Sequence, residues 1–177
     1  MPKSTIGDFD TVAANNSDIG GINIAEGCAA AGINNALREL MAQIKSAFAS
    51  AANLLAASSS WLFVSPKSLF DACAFFTLTD AATVSIDQNS GVNFTVTLAG
   101  NRAIANMTNK KPGSSGFIRI KQDATGGRTA TWGTDYRFPA ALGSPPTLSA
   151  AANAVDLFSY IIFDSSTVYV TGVKALA

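Results

Sequence analysis

A chain of 177 residues that is 48% hydrophobic and 14% charged has the material for at least one sizeable core. Its 12 basic residues balance 12 acidic ones, so it lacks the basic stripe that neutralises phosphates, and nucleic acid is not an expected partner. The absence of histidine removes the usual general base, the usual zinc ligand and every Ser-His or Cys-His nucleophile arrangement together.

No apolar run approaches the ~20 residues of a membrane-spanning helix, and Met1-Pro2-Lys3-Ser4 lacks the charged-then-apolar order of a secretion signal. Membrane insertion is therefore not expected, and the protein should act where it is made or travel as part of an assembly. No cofactor is expected.

Residues 1–31 are rich in Gly, Asn, Asp and Ala, with isolated Ile6, Phe9, Ile19, Ile22 and Ile24. Such a segment buries too little apolar area to offset an ordering cost of ~1–2 kcal/mol per residue. It is expected to be an extended arm whose isolated apolar residues anchor it on another surface. The alternative is an arm folded back on its own domain.

Residues 33–54 then place Ile33, Leu37, Leu40, Ile44, Ala47, Ala51 and Leu54 at an alternating four-three spacing, one seam of a helix. Met41, Phe48 and Leu55 widen the apolar face beyond what a two-stranded coiled coil requires. The pattern predicts a long helix within residues 32–60, about 35 Å at ~1.5 Å per residue, ending in the serine run at 58–60. Its face either joins three or more copies in a bundle or packs on the chain's own sheet. In the first case the interface comprises Ile33, Leu37, Leu40 and Met41, followed by Ile44, Phe48, Leu54 and Leu55. A connector over residues 61–74 holds Trp61, Leu62, Phe63 and Val64, after which Ser65-Pro66 announces a short helix.

From residue 75 the period changes from helical to alternating. Val92, Phe94, Val96 and Leu98 point one way while Asn93, Thr95 and Thr97 point the other, a half-buried strand. Further strands are expected at 75–79, 83–86, 117–122, 129–136, 156–163 and 167–173, separated by turns such as Asn89-Ser90-Gly91, Lys111-Pro112-Gly113 and Asp164-Ser165-Ser166. Short strands at this spacing predict a compact antiparallel β-sandwich-like domain over residues 75–177. Its strand 156–163 is apolar on both faces, which fits either a central strand under a loop or a subunit interface. The fold class expected for the whole chain is therefore α+β.

Chemistry-bearing groups are sparse. Asp80 with Asp87, or Asp156 with Asp164, offers a formal carboxylate pair, but each residue reads better as a strand end or turn, and no enzyme activity is expected. Cys28 and Cys73, flanked by alanines, read as small buried thiols. Trp132, Tyr136 and Tyr169 could stack on sugar rings, although Trp132, Tyr136 and Phe138 share a strand parity that favours the core.

Two blocks carry a resemblance. The stretch Gly21-Ile22-Asn23-Ile24-Ala25-Glu26-Gly27-Cys28, with Gly32-Ile33-Asn34-Asn35-Ala36-Leu37-Arg38-Glu39-Leu40 after it, resembles the start of many tail-fibre and minor structural proteins of tailed bacteriophages. The stretch from Asn93 through Lys111-Pro112-Gly113 to Thr129 is similar to a β domain of phage virion proteins. The resemblance implies a virion component assembled in the host cytoplasm: an anchoring arm bound to tail or neck proteins, a homotrimerising helix and a β head. The chain would then be a short fibre or an adaptor for a longer fibre, with a head fibre or capsid decoration, or a module for host-surface glycan, as alternatives.

Overall fold

The computed structural model describes residues 2–57, 62–140 and 145–176 and is α+β. The chain divides into two compact units, Met1–Leu69 and Phe70–Ala177.

In the first unit the N-terminal segment is folded, which corrects the expected extended arm. Two 3-10 turns, Ile6–Asp8 and Ala13–Asn15, lead into an antiparallel hairpin of β1 (Asp18–Ile19) and β2 (Ile22–Asn23). Its turn is Gly20-Gly21, both at positive φ, as a two-residue hairpin loop of this hand demands. The hairpin packs on helix α1 (Ala30–Ser46). Polar bonds supply what apolar area alone does not: Gln43 Nε2 and Gly20 N both donate to the Lys3 carbonyl, at 3.0 Å and 2.8 Å. Lys3 N in turn donates to Asp18 Oδ1 at 2.7 Å, and Ile19 is buried.

The long helix is also corrected, because α1 stops at Ser46 and a separate α2 spans Ala51–Ala56. The intervening backbone pairs elsewhere, with Phe63 N donating to Ala47 O and Ala49 N to Phe63 O. Ser50 then caps α2, its Oγ accepting from Asn53 N at 3.2 Å. A serine that can bond its own backbone thus opens the second helix. Helix α3 (Pro66–Ala72) begins after Ser65, whose Oγ accepts from Ser68 N at 3.1 Å. The serine run at 58–60 and Trp61 lie outside the described residues.

The second unit is built from β3 (Phe75–Thr77), β4 (Thr83–Val84), β5 (Asn93–Leu98), β6 (Arg102–Ile104), β7 (Ser115–Gln122), β8 (Ala130–Trp132), β9 (Tyr136–Arg137), β10 (Val155–Ile162) and β11 (Val168–Leu176). From β3 to β9 the chain alternates between a six-stranded sheet, in the order β3-β5-β7-β10-β11-β9, and a three-stranded sheet, β4-β6-β8. The sheets are therefore not antiparallel as expected. The pairs β3–β5, β5–β7, β4–β6, β6–β8 and β9–β11 are parallel, whereas β7–β10 and β10–β11 are antiparallel. The turns explain why. Asn89-Ser90-Gly91 and Lys111-Pro112-Gly113 carry the chain to the other sheet, and such crossovers return it parallel to its earlier neighbour. The turn at Asp164-Ser165-Ser166 does close a hairpin, with Phe163 N donating to Thr167 O at 2.9 Å.

Inward side chains of both sheets form one cluster that includes Val84, Phe94, Val96, Ile104, Ile118, Ile120, Phe158, Ile162 and Val168. Trp132, packed against it, meets Tyr136, Phe138 and Phe158 edge-on at 5.1–5.3 Å. Gly116 is a position where only glycine fits. Its neighbour Tyr160 donates its hydroxyl to Val92 O at 2.7 Å and accepts from Gln88 Nε2 at 3.2 Å, and burial pushes the phenol up to about 12. A Cβ on Gly116 would stand 1.8 Å from Val92 O and 2.9 Å from the Tyr160 hydroxyl oxygen. Gly116→Ala is expected to lower stability by about 1–3 kcal/mol. Urea unfolding checks this, and an unchanged midpoint would show that β5 and β7 do not approach so closely.

Candidate functional site

Among the described residues, each unit has an open apolar surface. Beyond the end of α1, Phe48 is 52% exposed; on the helix itself the expected interface residues Ile33, Leu37, Met41 and Ile44 are between 43% and 69% exposed. At ~100° per residue they occupy an arc of about 80°. The neighbouring arc, holding Ala36, Leu40, Gln43 and Ala47, faces the unit's own interior, with Ala36, Gln43 and Ala47 buried and Leu40 half-buried. The fold covers the small and polar half and leaves the large side chains in water. Leu54 and Leu55 are half-buried on α2 instead. Of the expected anchors, Ile19 is buried and Ile6, Phe9, Ile22 and Ile24 are half-buried.

The second surface is the outer face of the six-stranded sheet. The strand that read as apolar on both faces turns Phe158, Tyr160 and Ile162 into the core and Leu157 and Ile161 outward. Register places Ile161 beside Tyr169, Tyr169 beside Arg137, and Ser159 between Phe117 and Thr171. The outward positions include Phe75, Phe117, Leu157, Ile161, Tyr169 and Val173, together with the cations Arg119, Lys121 and Arg137, and no Asp or Glu. Arg119 lies over the Phe75 ring at 5.0 Å. Toward the β9 end a groove of about 510 Å³ opens, lined by Arg137, Phe138, Pro139, Ser159, Ile161, Tyr169 and Thr171 among others. Sequence reasoning found Tyr169 but missed Arg137, because a two-residue strand shows no alternation.

The candidate carboxylates are bonded within the fold. Asp80 takes two bonds from the Arg102 guanidinium at 2.7 Å, and these hold its carboxyl below the usual range. Asp123 is lowered in the same way by Arg128. Asp156 is buried and accepts from Ser149 N, Ser149 Oγ and Ala175 N, which ties the preceding loop and the C-terminal strand together. Asp164 accepts from Ser166 N at 2.7 Å within its turn, and Asp87 from Asn89 N at 2.9 Å. Cys73 is exposed and Cys28 half-buried, so neither is the buried thiol expected. Among the described residues no cluster of His, Cys, Asp or Glu could hold a metal ion, and no helix is long and apolar enough to cross a membrane.

A carboxylate with a depressed value stabilises the fold above its unfolded value of ~3.9, and that contribution fades as pH falls through the lower folded value. Asp80→Asn is therefore expected to be less stable than the wild type at neutral pH, with the gap closing below about pH 4. Urea unfolding across pH checks this, and a gap that persists undiminished at pH 2 would contradict it.

Among the described residues two apolar faces are open, and the candidate carboxylates are engaged in bonds within the fold. Residues 78–164, just under half of the chain, match the family described as "Putative phage tail fibre C-terminal domain". The match supports a phage tail-fibre family, a structural role on the virion tail and association with other tail components, and it points to a non-enzyme. No curated protein and no solved structure matches the chain.

Proposed function

We propose that the chain is a homotrimeric component of a phage tail, a short fibre or a fibre adaptor, joined through the open stripe of α1. The observation that carries this is the division of α1: its small and polar side chains turn inward while Ile33, Leu37, Met41 and Ile44 stay in water. Each large apolar side chain gains ~1.5–3 kcal/mol on full burial, so a helix arranged this way is incomplete without another surface. The stripe is continuous with the covered arc, which allows three helices to meet without displacing the hairpin. In this reading residues 1–31 serve the particle as a folded element, 32–60 the oligomer, 61–74 the connection and 75–177 the head. Immunogold microscopy of intact particles, with antibodies raised to residues 70–177, is expected to label the tail. Gold confined to capsids would move the protein to the head.

A further inference from the structure

We propose that the open edge of β11 takes up an extended, acidic peptide segment of a partner protein, which adds a strand to the six-stranded sheet beside the groove. This goes beyond the tail-fibre reading and does not depend on the trimer, because every residue it uses lies in the second unit.

The edge is open because β9 stops early. Val168 N donates to Asp135 O at 2.9 Å, and the parallel register sets Val168 beside Tyr136 and Tyr169 beside Arg137. Main-chain groups alternate sides along a strand, so Val168, Val170 and Gly172 turn theirs toward β9, while Tyr169, Thr171 and Val173 turn theirs toward β10. Continued by one step, the ladder needs an N–H at residue 139 to reach the Val170 carbonyl. That residue is Pro139, which has none. β9 ends at Arg137, and among the described residues no strand lies beside residues 170–173 on this side.

At the far end the register shifts and Ala175 takes a positive φ of 55°, its N–H donating to Asp156 Oδ1. Between the proline and this bulge lies a slot in which the Val170 carbonyl and both main-chain groups of Gly172 have no strand partner among the described residues. Proteins blunt such edges with charge, proline or a bulge along the strand. Here those devices bound the slot, and Val170-Thr171-Gly172-Val173 itself carries none of them.

Side chains select the partner. On its outer side the slot opens into the groove, where Phe138, Pro139, Tyr169 and Thr171 form a recess for alternate side chains of an added strand. Arg137 bonds the carbonyls of Thr134 and Tyr136, and no described carboxylate pairs with it. A guanidinium so placed suits a carboxylate on the incoming segment. A second copy of β11 answers it poorly, since Val168–Leu176 holds no acidic side chain.

Fluorescence anisotropy of the full chain with a labelled octapeptide of alternating glutamate and valine tests this. Two companion peptides separate the contributions, one methylated on every main-chain nitrogen and one with glutamine for glutamate. The parent peptide should bind about tenfold or more tighter than either companion, and more weakly as salt is added. Hydrogen exchange at the Gly172 amide should slow on binding. Arg137→Ala should weaken binding about tenfold with the thermal unfolding curve unchanged. Equal affinity for the methylated peptide would mean contact through side chains alone, and equal affinity for the glutamine peptide would remove the charge selection. An unprotected Gly172 would put the peptide elsewhere, and no measurable binding up to about 1 mM would deny the slot this occupant. Each of these results overturns the proposal, as would self-association of the chain that protects Gly172 in place of the peptide. Changing both Leu37 and Met41 to glutamate should leave peptide binding unaltered, so the slot and the fibre reading fail separately.

Discussion

Replacing Phe158 by alanine is expected to remove about 3–5 kcal/mol of stability, a large share of the ~5–15 kcal/mol a domain possesses. The ring is fully buried in the middle of β10, edge-on to Trp132 at 5.3 Å. It fills the space left by the missing side chain of Gly172, where a Cβ would stand 2.6 Å from Phe158 Cδ1. The surrounding positions cannot close over the void, because β10 is paired along its length with β7 and β11. Lost transfer energy and an unrelaxed cavity therefore add. Urea unfolding measures the change, and a loss below about 1 kcal/mol would mean that the two sheets do not share a continuous core.

The second large effect falls on association rather than folding. Changing both Leu37 and Met41 to glutamate places charge on two of the most exposed positions of the α1 stripe, at 55% and 69% exposure. A monomer hardly registers the change, since both side chains already meet water. In a bundle, glutamates from each copy would face one another away from water, and desolvation and repulsion would oppose the contact. An affinity loss of at least about a hundredfold is expected, equivalent to ~2.8 kcal/mol. Circular dichroism should be unchanged while the sedimenting species shifts to a single chain. A variant that stays assembled would show that copies meet elsewhere.

The sequence was most readable where one face alone decides a residue's place. Alternation at Phe94, Val96 and Leu98 marks β5 because those residues go into the core while Thr95 and Thr97 do not. The two-faced pattern of residues 156–163 likewise signalled an apolar outer surface. Pairing was not readable. Parallel order depends on which sheet a turn delivers the chain to, and Asn-Ser-Gly or Pro-Gly serves a crossover as well as a hairpin. The strand β6 (Arg102–Ile104) is too short to show a period and was missed. The break between α1 and α2 was hidden because alanine at 47 and 49 suits a helix, whereas pairing with Phe63 is a tertiary choice. The arm was misread because its order rests on a long-range bond from Gln43 to the Lys3 carbonyl rather than on apolar area. Of the outer-face groove, only Tyr169 stood out, since Ser159, Thr171 and Arg137 acquire meaning once register sets them side by side.

The central claim is that α1 is an interface between copies, and the solution mass of the full chain tests it most directly. Sedimentation equilibrium at micromolar concentration is predicted to give three times the 18.2 kDa of one chain. A stable species of 18.2 kDa would contradict the account, leaving the α1 stripe without a partner of its own kind.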